Sequence, residues 1–222
     1  MALKKIIVGW ARGGLGYVTE LLKSSGREVG TTFGPDTTLE NLAERVSMAK
    51  EYEVSPYLIP FLGHKPFAEC RTSFVLRDPM RVLNSLYFHG MFHNERSSDV
   101  SRSAFAHLPG FRAKFAGKPG QASCAYIWNW FRTAQKNSPK LEIIRVEEGP
   151  GAIRRYFGLS ETTQYVPPYT NVSYCKQTIV PSVLPPASRD GMVRLLTELG
   201  YRETYWAPRG GHAHYVNPDW HC

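Results

Sequence analysis

The sequence predicts an α/β protein, a single domain built on a central parallel sheet flanked by helices. Three observations carry that expectation. Short apolar runs at Ile6–Val8, Thr72–Leu76 and Leu141–Val146 alternate with segments of helical period. Two of these runs end in turns made for anions, one rich in glycine and one reading Arg77-Asp78-Pro79, and strand ends are where parallel sheets collect ligands. At 222 residues, 42% hydrophobic and 13% aromatic, the chain can also bury one sizeable core. No internal repeat, low-complexity tract or linker interrupts it.

The first element is the strand Ile6-Ile7-Val8 with the loop that follows, Gly9-Trp10-Ala11-Arg12-Gly13-Gly14-Leu15-Gly16-Tyr17. A strand-to-helix turn of this kind binds phosphates. Glycines let the backbone approach an anion, several N–H groups point inward, and the helix that begins there adds the positive end of its dipole. Arg12 adds a fixed charge with a planar fork of donors. The loop is not a Walker sequence, because no lysine followed by a hydroxyl closes a G-x-x-x-x-G-K-[ST] pattern, and Gly14-Leu15-Gly16 lacks the third glycine of a dinucleotide fingerprint.

The helix of this loop runs from about Gly16 to Ser24 and stops at Gly26. A second strand covers Arg27 to Thr32, and Thr38 caps a helix from Leu39 to Ala49. Glu53 to Leu62 reads as a short strand entering a proline-punctuated stretch, followed by Gly63-His64-Lys65-Pro66. Thr72–Leu76 is the next strand. After it Asp78 caps a helix with Pro79 in its first turn, and Ser85 lies about two turns along.

Residues 88–120 show no clear period and read as an irregular excursion, a candidate acceptor-binding lid. His89 and His93 within it stand at i, i+4, a metal-ligand spacing with no evident third ligand. Ala122 to Gln135 is helical with aromatic bulk on several faces. Leu141–Val146 is a strand, Gly151–Phe157 a helix ending at Gly158, and Ser188–Leu199 a final amphipathic helix ending at Gly200. Between them Val166–Pro186 is a proline-rich crossing, and 201–222 is an irregular tail.

The formal charge of +8 points to an anionic ligand. Lysines and arginines are scattered rather than gathered into a run, which argues for a nucleotide-sized anion and against nucleic acid. No signal segment and no apolar run of membrane length is visible, so the sequence predicts a cytoplasmic protein without a membrane partner. Cys70, Cys124, Cys175 and Cys222 are widely spaced and predict free thiols rather than a zinc site or a disulfide framework. Asn171-Val172-Ser173 matches a glycosylation acceptor that such a setting leaves unused.

With these residues in place, the chain resembles the sulfotransferases that use 3′-phosphoadenosine 5′-phosphosulfate (PAPS). The first strand of that family ends in a loop commonly written Y-P-K-S-G-T-T-W, which aligns with Trp10 to Tyr17. Its second motif, R-[DN]-P with a serine eight positions after the arginine, is matched by Arg77 and Ser85. Val146-Glu147-Glu148 and Phe157-Gly158-Leu159 are similar to a later strand–helix element of the family, and Arg209-Gly210-Gly211 is loosely similar to its R-K-G segment.

The resemblance implies a sulfuryl transfer from PAPS, used as co-substrate without a metal, to a hydroxyl or amine of a small-molecule or glycan acceptor. It implies that Arg12, Gly13, Gly14, Leu15, Gly16 and Tyr17 hold the 5′-phosphosulfate and that Arg77 and Ser85 hold the 3′-phosphate, with Arg209 and Gly210 adding to it. Arg12 would stand where the family has a catalytic lysine. Thr31 and Thr32 stand where several branches carry the catalytic base, which leaves His64, Glu53 and Asp36 as candidates and His89 or His93 behind them. The alternatives are a nucleotide or small-molecule kinase, against which the missing Walker lysine counts, and a non-catalytic nucleotide-binding protein.

Overall fold

A computed structural model describes residues 5–93, 98–160 and 179–201. They form an α/β fold on five strands: β1 (Lys5–Gly9), β2 (Val29–Gly30), β3 (Tyr52–Val54), β4 (Arg71–Leu76) and β5 (Glu142–Arg145). All neighbours pair in parallel, in the order β2-β3-β1-β4-β5. The helices are α1 (Leu15–Ser24), α2 (Leu42–Met48), α3 (Pro79–Phe88), α4 (Asp99–His107), α5 (Phe111–Phe115), α6 (Pro119–Asn137), α7 (Gly149–Phe157) and α8 (Pro186–Glu198). None among the described residues is long and apolar enough to cross a membrane.

The described residues group into two compact units. The first holds 5–77 and 131–160, the second 78–93, 98–130 and 179–201. The whole sheet belongs to the first. Ile6, Ile7 and Val8 are each 0% exposed although alternate side chains of a strand point to opposite faces, so β1 is covered on both sides, as parallel sheets require. On one face Ile7, Val54, Val75 and Ile144 meet Leu15, Val18 and Leu22 of α1 and Ile153 and Phe157 of α7. On the other, Phe74 packs edge-on against Trp10 at 5.2 Å and against Phe131 at 5.1 Å.

The edge strand β2 is shorter than the expected Arg27–Thr32. Beyond Gly30 the chain leaves the ladder because Thr32 gives its N–H and its hydroxyl to the Glu53 side chain, each at 2.9 Å. A Cβ on Gly30 would lie 1.9 Å from Glu53 Oε1, so a larger residue there would displace the Glu53 carboxylate from its hydrogen bonds. Helix α2 begins three residues after the expected start. Thr38 and Asn41 bond to each other, Thr38 N–H to Asn41 Oδ1 at 2.9 Å, and that closed turn takes the place of a first helical turn.

The second unit is richer in helix than expected. Within 88–120, described apart from 94–97, α4 and α5 stand where an irregular run was predicted. Ser98 and Ser101 form a reciprocal capping box that starts α4, and Gly110 in the left-handed region starts α5. Phe92, Phe105, Phe111, Phe115 and Tyr126 then cluster, with neighbouring ring centroids 4.9 to 6.1 Å apart. Helix α8 starts at Pro186, two residues before the expected Ser188, with Pro185 before it.

Candidate functional site

Strand order reverses at β1. From it the sheet grows to β3 and β2 on one side and to β4 and β5 on the other, and in open parallel sheets the crevice beyond the carboxyl ends at such a point is where ligands bind. Gly9 ends β1 opposite Val75 of β4, so the loop 10–14 and Arg77 leave the sheet side by side.

Trp10 anchors this loop. Its side chain is 0% exposed between Phe74 and Phe131, while its carbonyl accepts the Gly13 N–H at 2.9 Å and closes a four-residue turn. In that turn Arg12 has φ 65°, the only residue other than glycine with positive φ among those described. Such a position ordinarily selects glycine or asparagine, and a long side chain there costs about 1–2 kcal/mol. Gly14, at φ 100°, precedes α1, and a Cβ on it would meet Val146 Cγ2 at 2.8 Å.

Helix α1 has no side-chain cap and no acidic residue in its first turn. The N–H groups of Leu15, Gly16 and Tyr17 are therefore first-turn donors at the positive end of a ten-residue helix. Arg77 reaches the loop from β4, donating from Nη1 to the Arg12 carbonyl at 3.2 Å. Burial and the Arg77 charge together lower the Arg12 pKa, so two guanidinium groups are held near each other in a partly dry place. Burial raises the Tyr17 phenol pKa, with the Arg154 charge opposing it.

The structure thus brings together Arg12, Gly13, Gly14, Leu15, Gly16, Tyr17 and Arg77. Three other expected residues of the same unit have their own contacts. Glu53 is 0% exposed at the centre of β3, its side chain taking the Lys50 N–H at 2.9 Å besides both Thr32 donors; it is a clamp between β2 and β3. Asp36 is exposed and paired with Arg45 of α2. His64 is exposed in the turn after residues 56–61, its ring 6.3 Å from that of Phe61.

In the second unit, Asp78 caps α3 by accepting the Met80 N–H at 2.8 Å, and Ser85 is 6% exposed on the same helix. Beside it Asn84 fixes the chain at Ile179 by two bonds, donating at 3.0 Å and accepting at 2.6 Å. His89 and His93 lie past the end of α3. The first contacts the Ser85 carbonyl at 2.8 Å through Nδ1, and the second stacks on Tyr87 at 5.0 Å. Among the described residues no three His, Cys, Asp or Glu side chains gather as a metal site would need. Arg209 and Gly210 lie outside the described residues, as do Cys175 and Cys222.

Two contributors were not legible beforehand. The bond from Arg77 to the Arg12 carbonyl depends on a left-handed backbone that no residue in the loop announces. Val146, whose methyl group backs Gly14, comes from a part of the chain 132 positions away and signals only as the end of an apolar run. Comparison with family models, with curated proteins and with solved structures yields no match.

Proposed function

We propose that this chain is a sulfotransferase that takes a sulfuryl group from PAPS and delivers it to a hydroxyl or amine of a small-molecule or glycan acceptor. The observation that carries the reading is the convergence of Arg12, Arg77 and the uncapped start of α1 at the carboxyl ends of β1 and β4. Like charges held together with first-turn N–H donors favour an anion more than either element does alone. The lack of a lysine–hydroxyl pair in the loop favours sulfuryl over phosphoryl transfer from a magnesium nucleotide.

On this reading the acceptor oxygen or nitrogen bonds to sulfur as the bond from sulfur to the phosphate oxygen breaks. The displaced adenosine 3′,5′-bisphosphate carries away the electron pair, and the acceptor's proton passes to a base. Arg12 meets the charge that grows on the leaving phosphate oxygen, a role that strengthens in the transition state. The N–H groups of Leu15, Gly16 and Tyr17 hold the non-reacting oxygens, with no help from loop hydroxyls. Arg77 forks onto the 3′-phosphate.

The test is transfer of labelled sulfate from PAPS to a panel of phenols, alcohols, amines and glycans. Labelled product with any acceptor, lost in Arg12→Ala, supports the proposal. Stabilisation by adenosine 3′,5′-bisphosphate without transfer to any acceptor moves the reading to a nucleotide-binding protein, and phosphate transfer from Mg-ATP moves it to a kinase.

A further inference from the structure

We infer that Arg77 is a positioning residue for the glycine loop, so that the group expected to read one phosphate also sets the shape of the element that reads the other. In the turn Trp10–Gly13 the Gly13 N–H donates to the Trp10 carbonyl at 2.9 Å. Inside it Arg12 adopts φ 65°, a conformation that a side chain other than glycine or asparagine leaves readily when nothing opposes it. The carbonyl of that strained residue is the acceptor for Arg77 Nη1 at 3.2 Å. The donor is charged and the carbonyl partly buried, and Arg77 follows directly on β4, which pairs with β1 along five registered positions, so the bond starts from a rigid base.

The consequence rests on the nucleotide reading above. When Arg77 holds a 3′-phosphate its guanidinium is fixed, and the Arg12 carbonyl is fixed with it. The Arg12 side chain and the first N–H groups of α1 are then aimed before the sulfuryl group moves. Nucleotides with the 3′-phosphate would gain in rate as well as in affinity, and Arg77 would act on the 5′ end through the main chain.

Amide hydrogen exchange of the ligand-free protein tests the coupling without reference to any substrate. In Arg77→Ala the Gly13 amide should exchange about tenfold faster or more, the scale of one lost charge-assisted bond, while Ile7 and Val8 in β1 keep their protection. Adding Arg12→Gly to that variant should recover about three- to fivefold, because glycine holds positive φ without strain. Arg77→Lys, which keeps the charge but not the fork, should fall between and serves if the alanine variant does not fold. Unchanged Gly13 exchange in a folded Arg77 variant overturns the inference.

Calorimetry supplies the second arm. Adenosine 5′-phosphosulfate lacks the 3′-phosphate, yet Arg77→Ala should weaken it about tenfold as well as weakening adenosine 3′,5′-bisphosphate; a loss confined to the bisphosphate overturns the coupling. If wild-type protein binds neither nucleotide, the proposed function fails, and the exchange result still decides whether Arg77 holds the loop.

Discussion

At the N-terminal edge of the sheet Arg71 gives its Nε to both oxygens of Glu142, at 2.9 and 2.7 Å, and lies 4.9 Å over the Tyr156 ring. Lys5 beside it sits 5.5 Å over both Tyr52 and Phe157, and its pKa is lowered by burial, Arg71 and Arg27 while Glu51 and Glu142 pull it back up. At the C-terminal edge of the same two strands, β1 and β4, Arg12 responds to burial and to a second arginine, both in one direction. One edge answers its cations with carboxylates and rings of its own chain. At the other, two arginines stand near each other by a strained loop at a helix start, the arrangement on which the proposed anion site rests. The proposal of a ligand site therefore rests on what surrounds these basic residues rather than on their number.

That comparison is open to direct attack, because variants at the C-terminal edge should change turnover and binding, and variants deeper in the sheet should change stability. The largest effect expected is Arg12→Ala, which should lower kcat for sulfuryl transfer by about 10²-fold or more with a smaller loss of nucleotide affinity. Arg12→Lys should recover part of the rate. Stopped-flow or endpoint transfer from PAPS reads both, and intact turnover in the alanine variant would mean that the leaving charge is met elsewhere.

Next in size is Glu53→Gln. With three donors on one buried side chain, the amide must turn its NH₂ toward at least one of them, at a cost of about 2–3 kcal/mol in chemical denaturation, while turnover per folded molecule stays unchanged. A stable Glu53→Gln protein without turnover would restore Glu53 as a catalytic base. Arg77→Ala should weaken adenosine 3′,5′-bisphosphate by a similar 2–3 kcal/mol or so in calorimetry.

Smaller again is Arg71→Ala. Arg71 and Glu142 are 46% and 37% exposed, so the pair is screened and the variant should lose about 1 kcal/mol of stability or less and no nucleotide affinity. A large loss of affinity would erase the contrast between the edges. The smallest effect is at His107 on α4, whose pKa burial lowers below its ordinary 6.5. The unfolded chain then binds the proton more readily, so stability is level above about pH 6.5 and declines as pH falls through the lowered value. His107→Gln should flatten that decline in pH-dependent melting curves.

Much of this molecule can be read in the chain. Ile6–Val8 and Thr72–Leu76 are strands because β-branched and apolar residues dominate them, and α1, α3 and α7 end or begin where Gly26, Asp78 and Gly158 say they must. The failures have common physics. Thr32 looks like strand and is drawn off by a side chain from β3; Thr38 looks like a cap and is closed on Asn41; α4 and α5 start on a serine capping box and a left-handed glycine rather than on an apolar stripe. At the site, the residue types of the loop were legible, but the left-handed turn at Arg12 and its bond to Arg77 arise from tertiary placement. Glu53 reads as a candidate base because titratable groups at strand ends often are, while its burial and the three hydrogen bonds it accepts show only in the fold.

The central claim is that the carboxyl ends of β1 and β4 form an anion site for a 3′-phosphorylated adenosine nucleotide. Thermal unfolding with and without adenosine 3′,5′-bisphosphate tests it most directly, since a ligand that binds the folded state alone raises the melting temperature with concentration. The account predicts a rise for the wild-type protein, little or none with Mg-ATP, and loss of the rise in the Arg12→Ala, Arg77→Ala double variant. No rise at saturating bisphosphate, or an equal rise in that double variant, would contradict it.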